Sequence, residues 1–377
     1  MNILKNTQIM GKRLKTLAFI LIGIVIFSSC KKNESHALDG KGELWSCTEF
    51  SDNPLILSTL AGSYRLLPLE TNDVSLLGGI NKIVYQNSLI YLLDKRYTAK
   101  VFAFTANDGK FVRKFGKIGN GPGEYSNIDD FSIDNERRQI YILADRNRLI
   151  TYTLDGDYVT AKQLPFMATH VEYMNNRLFF VCDLTDMDNL LITDMNFSLL
   201  SSHFPNDVYK SNYRILLHPL QKKENELLFH RFLDNRIYRI NSDGELSVAY
   251  QVDFGTNSMT LEDIDNLTEK ELKDMMKTKV GNVKYFTETD KYAFMMFFDK
   301  NSPCVSIYDR ESNQAKSYTF QSLKDDFVGK DFPILEYTQP NGTFTSVIPF
   351  NLIEHLTENK LIQNINEDSN PILYQLY

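Results

Sequence analysis

A pattern of four short strands recurs along the chain at a spacing of about 50 residues, and this repeat limits the possible folds more than any other feature. The first two complete units occupy residues 83–115 and 131–160. In each unit, runs rich in Ile, Val, Tyr and Phe alternate with turns such as Asn-Asp-Gly at 107–109 and Asp-Gly at 155–156. Repeats of this length and composition are typical of the blades of a β-propeller, in which each sheet packs against its neighbours around an axis.

Three weaker copies of the unit follow at residues 171–204, 213–254 and 283–320, which gives five complete units. Between the fourth and fifth copies, residues 259–280 carry apolar side chains at helical spacing, and Thr268 with Glu271 makes a capping box. This stretch predicts a short helical insertion between two blades.

The C-terminal residues contain three further strand patterns, at 334–337, 343–350 and 371–377, which make three quarters of a blade. A missing fourth strand would leave an unpaired sheet edge, which favours aggregation. Residues 64–70 form an otherwise unassigned strand pattern that can fill this position. The sequence therefore predicts an all-β fold over residues 55–377: a six-bladed β-propeller with four-stranded blades, closed by strands from the two ends of the chain.

The N-terminal 29 residues have the order of an export signal, namely basic residues, an uncharged apolar run and small residues. The apolar run, residues 17–27, is much shorter than the roughly 20 residues that a membrane-spanning helix needs. Ser28-Ser29-Cys30 resembles a lipobox, although Phe27 stands where leucine is usual. We therefore expect a lipoprotein signal at 1–29, acylation of Cys30 and a lipid-attached tether at 30–54, with an ordinary secretory signal as the alternative.

This interpretation places the mature protein in the cell envelope, anchored to a membrane on the periplasmic or outer-membrane side. The formal net charge is -7, and loss of residues 1–29, which carry four positive and no negative charges, changes it to about -11. No basic patch remains to neutralise phosphates, so we expect no nucleic-acid partner. The remaining cysteines, Cys47, Cys182 and Cys304, lack metal-binding spacing, and we expect neither a metal nor another cofactor.

Residues 115–125 read Phe-Gly-Lys-Ile-Gly-Asn-Gly-Pro-Gly-Glu-Tyr. This run resembles the GxGPGE(Y/F) linker of exported six-bladed propeller lipoproteins, relatives of the NHL-repeat propellers. Residues 347–349 and 370–373 are similar to the last two strands of that family, so the resemblance covers most of the mature chain. The glycine-rich run leads from one strand to another rather than into a helix, which favours an inter-blade crossing over a phosphate-binding loop. Glu124 within it is predicted either to cap backbone N–H groups or to face the channel.

The resemblance implies a binding function for most members and, for a peptide-amidating lyase of the NHL type, a metal held by histidines in the central channel. Only His170, and less clearly His218, falls near an inner-strand position in this sequence.

Ligand chemistry in a propeller concentrates where the inner strands converge on the axis. Polar residues at the predicted starts of these strands come from five blades: Asn81 and Lys82, Asp129 and Asp130, His170 and Glu172, Tyr213 and Arg214, and Lys284 and Tyr285. Each could be a solvated channel residue, but a ring of mixed charges, amides and aromatics suits a small polar ligand such as a glycan or a peptide. The candidate ligand-binding residues are Asn81, Asp129, His170, Glu172, Arg214 and Lys284, with Asp129, His170 and Arg214 contributing most.

Two functions remain open. The first is a non-enzymatic binding or scaffold protein, and the second is a lyase or hydrolase with its site in the central channel. The sequence contains neither Gly-x-Ser-x-Gly nor His-Glu-x-x-His. Asp129 and Glu172 could form the carboxylate pair of a glycosidase, but sequence alone does not give their separation.

The predicted lipobox can be tested directly in cells. Labelling with a palmitate analogue should mark the wild-type protein and leave the Cys30→Ser variant unmarked, because the thiol of Cys30 is the acylated group. Equal labelling of both proteins would contradict lipidation at Cys30.

Overall fold

The structure, a computed structural model, describes residues 41–182, 187–205, 218–259, 263, 267–329, 333–339, 342, 344–348, 352–363, 365–366 and 368–377. The predicted signal, Cys30 and Arg214 lie outside the described residues. Three strands precede the first blade: β1 (Glu43–Ser46), β2 (Leu55–Ile56) and β3 (Tyr64–Pro68).

Six sheets of antiparallel strands follow in chain order, and each is defined here as one blade. Blade 1 contains β4 (Lys82–Gln86), β5 (Leu89–Asp94), β6 (Lys100–Thr105) and β7 (Phe111–Phe115). After the short strands β8 (Lys117–Ile118) and β9 (Glu124–Tyr125), blade 2 contains β10 (Ile128–Asp134), β11 (Gln139–Ala144), β12 (Arg148–Thr153) and β13 (Tyr158–Gln163). Blade 3 contains β14 (His170–Met174), β15 (Arg177–Val181), β16 (Leu190–Thr193) and β17 (Leu199–His203).

The second half of the ring continues the same order. Blade 4 contains β18 (Leu220–Lys223), β19 (Glu226–His230), β20 (Arg236–Ile240) and β21 (Leu246–Asp253). Blade 5 contains β22 (Val280–Glu288), β23 (Tyr292–Asp299), β24 (Ser302–Asp309) and β25 (Gln314–Thr319), and β26 (Leu323–Lys324) follows it. Blade 6 contains β27 (Tyr337–Thr338), β28 (Phe344–Val347), β29 (Ile372–Leu376) and, as its outermost strand, β3. The predicted six-bladed propeller is confirmed.

The middle strands of each blade are buried on both faces because a neighbouring blade covers each face. In β11, for example, every residue from Ile140 to Ala144 is buried. The core between blades 1 and 2 contains Tyr91, Phe115 and Phe131. Continuous burial explains why these strands read as apolar runs rather than as an alternation of apolar and polar residues.

The ring closes between the two ends of the chain, as the sequence predicts. Strand β3 pairs antiparallel with β29 over five residues, from Tyr64 opposite Leu376 to Pro68 opposite Ile372. The backbone N–H of Gly62 also donates to the carbonyl of Tyr377 at 2.6 Å. This pairing satisfies the edge of blade 6 that would otherwise be open.

The predicted insertion between blades 4 and 5 contains the helix α1 (Glu269–Met276). Thr268 and Glu271 form the predicted capping box, because each side chain accepts a hydrogen bond from the other residue's backbone N–H. A second helix that the sequence did not predict, α2 (Ile353–Glu358), lies between β28 and β29 and buries Leu356. Two short 3₁₀ helices cover Leu57–Thr59 and Phe320–Ser322.

The glycine-rich run after blade 1 is a tight crossing, as predicted. Gly116 has a φ of +92°, and a Cβ atom there would lie 1.9 Å from the hydroxyl of Tyr125. Of the two predicted roles for Glu124, the structure shows the capping role: its carboxylate accepts from the N–H of Gly121 at 2.8 Å and pairs with Lys117. This run therefore holds two blades in register.

Part of the segment expected as a tether belongs to the folded unit. Strand β1 adds to the outer edge of blade 4 by pairing parallel with β21. Trp45 of this strand is fully buried, and its indole N–H donates to the hydroxyl of Ser306 in blade 5 at 2.8 Å. Its ring lies 5.4 Å from that of Tyr250 and 5.5 Å from that of Tyr308.

Because Trp45 fills a site between blades 4 and 5, Trp45→Ala should lower the free energy of unfolding by about 3–5 kcal/mol. The matched control is Leu44→Ala, since the Leu44 side chain is 64% exposed and its loss should change stability by less than about 0.5 kcal/mol. Urea unfolding followed by far-ultraviolet circular dichroism measures both effects. Equal stability of the two variants would show that β1 does not dock as described.

Candidate functional site

The innermost strands surround a central channel that contains a cavity of about 380 Å³. All six blades contribute to its wall. The wall reaches the exposed residues Asn87, Glu224 and Asp290, which follow the ends of the inner strands β4, β18 and β22. It extends inward to Lys82, where β4 begins, and to Glu336. The cavity therefore opens at the end of the channel where the inner strands finish.

One ion-pair network at the inner end of the cavity joins three blades. The ammonium group of Lys82 lies 3.0 Å from a carboxylate oxygen of Asp130 and 2.6 Å from one of Glu172. Glu172 also accepts a hydrogen bond from the hydroxyl of Ser132 at 2.6 Å, and Asp130 accepts one from the backbone N–H of Val171 at 2.9 Å. Burial opposes the charge on Lys82, but the two carboxylates outweigh it and raise its pKa. The network therefore fixes the charge and the position of each member.

A second network surrounds Glu288, whose side chain is fully buried in the cavity wall. Lys223, Arg239 and Arg310 lie within 3.4 Å of its carboxylate, and the hydroxyl of Tyr250 donates to it at 2.6 Å. Burial alone would raise the pKa of Glu288, but the cations and the hydrogen bond lower it below the ordinary value. Glu288 is therefore an ionised structural centre between blades 4 and 5.

Lys222 also lies in the cavity wall, but unlike Lys82 and Lys223 it has no carboxylate partner among the described residues. Its ammonium group donates to the carbonyl of Tyr173 at 2.8 Å and lies 5.7 Å from the centre of that tyrosine's ring. Within the described ranges it makes no ion pair, and burial in the channel lowers its pKa. Its remaining donors are available to a ligand because the side chain reaches the solvent of the cavity.

Glu336, another residue of the cavity wall, directly precedes β27 of blade 6. It is partly buried, and in the part of the chain that the structure describes its carboxyl has neither an ion pair nor a hydrogen bond. Burial raises its pKa to about 7. A large fraction of the Glu336 carboxyl groups is therefore protonated at neutral pH, and the neutral group can both donate and accept a hydrogen bond.

Three histidines lie near the inner end of the channel, but burial keeps them neutral. It lowers the pKa of His218 to about 3 and that of His230 to about 4, and it also lowers the pKa of His170. The ring of His218 packs 4.8 Å from that of Tyr337 in the cavity wall. Among the described residues, no group of three His, Cys, Asp or Glu side chains is arranged to hold a metal ion.

The six candidate residues from the sequence occupy different places. Glu172 lies in the cavity wall, and Arg214 lies outside the described residues. The side chain of Asn81 accepts from the N–H of Lys95 at 2.9 Å, and Asp129 accepts from the N–H of Arg146 at 2.6 Å. Both thus bond to the turn at the end of β5 or β11.

The remaining two candidates are partly buried. His170 lies with its Nδ1 atom 3.0 Å from the hydroxyl of Thr169, and Lys284 lies in β22, where burial lowers its pKa. The structure thus brings one of the six candidates, Glu172, into the wall of the cavity. A ligand-binding role for the others stays a prediction.

Sequence reasoning missed Lys222 and Glu336. It placed the inner strand of blade 4 near residues 213 and 214, whereas the innermost described strand of that blade is Leu220–Lys223. The sequence pattern places Glu336 inside the predicted strand 334–337 rather than at its start, whereas the observed strand begins at Tyr337. An acidic residue just before a two-residue strand gives no local signal of its position.

Among the residues that the structure describes, no helix is long and apolar enough to cross a membrane. No curated protein matches the chain.

Two solved structures share the fold over most of their length. One is a protein of Bacteroides fragilis NCTC 9343 that is inferred to be exported: it is 19% identical, with a TM-score of 0.74, and the match covers 89% of this chain and 99% of that chain. The other is a member of the DUF4221 family from Bacteroides vulgatus ATCC 8482, which is 9% identical with a TM-score of 0.53 over 84% of this chain and 96% of that chain.

The family described as "Domain of unknown function (DUF4934)" matches residues 46–376, which include all six blades and begin at Ser46, the last residue of β1. The chain belongs to this family.

Proposed function

We propose that this chain is an exported, lipid-anchored β-propeller that binds a small polar ligand, such as a glycan or a peptide, without catalysing a reaction. The observation that carries the proposal is the cavity of about 380 Å³, whose wall receives residues from all six blades and contains charged, amide and aromatic side chains. A concave site of this size with convergent polar groups is the usual form of a small-molecule site.

Export and anchoring are supported by the order of the N-terminal residues, which ends in Ser28-Ser29-Cys30. The fold is shared with the protein of Bacteroides fragilis that is inferred to be exported. Several acyl chains on Cys30 would hold the propeller at a membrane, because one chain alone binds only weakly.

Binding is favoured over catalysis because most carboxylates near the cavity are already engaged. Glu172 is held by Lys82 and Ser132, and Glu288 is held by three cations and Tyr250. A general base needs a lone pair that is free to reach the substrate. Fixed ion pairs instead provide a rigid wall, which lowers the entropic cost of ligand binding.

The second step of the proposal assigns Lys222 to the ligand. A hydrogen bond from a charged donor contributes about 1.5–3 kcal/mol, so Lys222→Met should weaken binding roughly ten-fold to a hundred-fold. Titration calorimetry of the detergent-solubilised full-length protein, first screened against glycans and peptides, measures this change. Lys316→Met is the matched control, since Lys316 is an exposed residue of β25, the outer strand of blade 5, and this variant should bind as the wild type does.

Two further variants, His170→Ala and Arg214→Glu, test whether the ligand binds near Lys222 or at the residues predicted from the starts of the inner strands. If Lys222→Met binds normally while His170→Ala loses binding, the ligand lies near His170 rather than near Lys222, and a loss of binding in Arg214→Glu would support the role predicted for Arg214 from the sequence. If all three bind as the wild type does, the ligand site is outside the channel and the proposal is wrong.

A further inference from the structure

We propose that the cavity selects an uncharged ligand rich in hydroxyl groups, a short oligosaccharide, over charged peptides and over acidic or basic sugars. This inference rests on the proposed function and narrows its ligand class. It depends on three observations: the balance of charges around the cavity, the chemistry of the remaining wall, and the state of Glu336.

The charges around the cavity nearly cancel. The cations in the wall and in its ion pairs are Lys82, Lys222, Lys223, Arg239 and Arg310, and the ionised acids are Asp130, Glu172, Glu224, Glu226, Glu288 and Asp290. Within the described residues, each of these groups except Lys222 and the exposed Glu224 lies in an ion pair with another member of the set. A charged ligand would therefore have to give up water while most of the charges of opposite sign are already paired, which is unfavourable.

Lys222 does not by itself create an anion site. The carboxylates of Glu172, Asp134 and Glu136 act on it electrostatically and favour its charged form, whereas burial has the opposite and larger effect. An anionic group bound to Lys222 would lie in the field of the same acids and would be repelled by them. A neutral hydroxyl group can accept from Lys222 without this penalty.

The rest of the wall consists largely of neutral groups that donate and accept hydrogen bonds. They include Gln86, Asn87, Gln221 and Thr338, whereas the buried Ser132 and Gln339 of the same wall are bonded to Glu172 and to the carbonyl of Phe344. Amide and hydroxyl side chains match sugar hydroxyls, since each hydroxyl also donates and accepts. The ring of Tyr337 and the side chains of Ile83 and Val84 add apolar surface to the same wall, which suits the C–H faces of a sugar ring.

Glu336 supports the same ligand class through its protonation. The groups that face it are the phenols of Tyr285 and Tyr337, and His218 packs behind Tyr337. All three are neutral at pH 7, so no charge in the described surroundings stabilises the ionised carboxylate. A ligand that covers Glu336 would increase its desolvation and would favour the neutral form further.

A glycan array tests the ligand class. The array should contain uncharged oligosaccharides together with matched charged ones, for example N,N′-diacetylchitobiose beside chitobiose and galactobiose beside digalacturonate, and a set of charged tripeptides. With detergent-solubilised full-length protein, we expect the best binders to be uncharged and to exceed their charged counterparts at least ten-fold. Best binding by a charged probe would overturn the inference but not the proposed function, whereas no binding to any probe would contradict both.

The pH dependence of binding tests the role of Glu336. Affinity for the best array ligand should fall about ten-fold between about pH 6 and pH 8, because the protonated form is lost through a pKa of about 7. Glu336→Gln mimics the neutral carboxyl and should bind at pH 6 within two-fold of the wild type, with a flat pH profile. Glu311→Gln, at an exposed turn of blade 5, is the control and should keep the wild-type profile.

Two results would overturn this role. An affinity that rises with pH and is lost in Glu336→Gln would indicate a cationic ligand. A pH profile that is unchanged in Glu336→Gln would show that another group is responsible.

Discussion

Closure of the ring is the constraint on which the rest of the structure depends, because each blade can bury its faces only between two neighbours. Strand β3 supplies this closure, and the side chain of Asn370 reinforces it. Its oxygen accepts from the N–H of Leu77 at 2.7 Å, and its amide donates to the carbonyls of Glu70 and Ser75. The two ends of the chain are thus joined at the boundary between blades 6 and 1, where a gap would expose two apolar faces at once.

The N-terminal segment also runs along blades 4 and 5 and pairs with β26 before it reaches the closing position. β1 pairs with blade 4, Phe50 forms a bridge with Ser317 of blade 5, and Leu55 pairs with Leu323. Trp45 and Cys47 of this path are buried with side chains of blades 4 and 5, and Leu57 is buried with side chains of blades 5 and 6. Residues that precede the first blade therefore stabilise the far side of the ring, so that a short N-terminal deletion acts on blades 4 and 5 as well as on blade 6.

The blade repeat, the closing strand and the capped helix could be predicted because each has a local pattern: apolar runs between Gly and Asp turns, or a Thr–Glu pair three residues apart. Asp94 and Asp145, which end corresponding second strands of blades 1 and 2, both accept hydrogen bonds from backbone N–H groups of adjacent loops. The docking of β1 could not be predicted, because its four residues form too short a pattern to indicate a strand. The partner of Trp45, Ser306, is distant in sequence and comes near only in the folded protein. The sequence placed Lys82, Asp130 and Glu172 at converging inner-strand starts, but it could not predict their ion pairs, since these residues are distant in sequence and meet only when three blades come together.

The residues that hold the blades together, called the frame here, are largely different from the residues that line the channel, and this difference has a functional consequence. The frame depends on side chains that point between the blades, such as Phe131 and Ile142, and their burial is set by the repeat. The chemistry of the cavity depends on one or two residues from each inner strand or its flanking turn, such as Lys222 and Glu336. A substitution at Glu336 can therefore alter ligand charge preference at little cost to the fold, because this carboxyl has no partner in the described structure to leave unsatisfied. A substitution that removes the charge of Lys82 or Glu288 would leave the buried charges of its partners uncompensated. The residues at these two positions therefore contribute both to the cavity wall and to the stability of the fold.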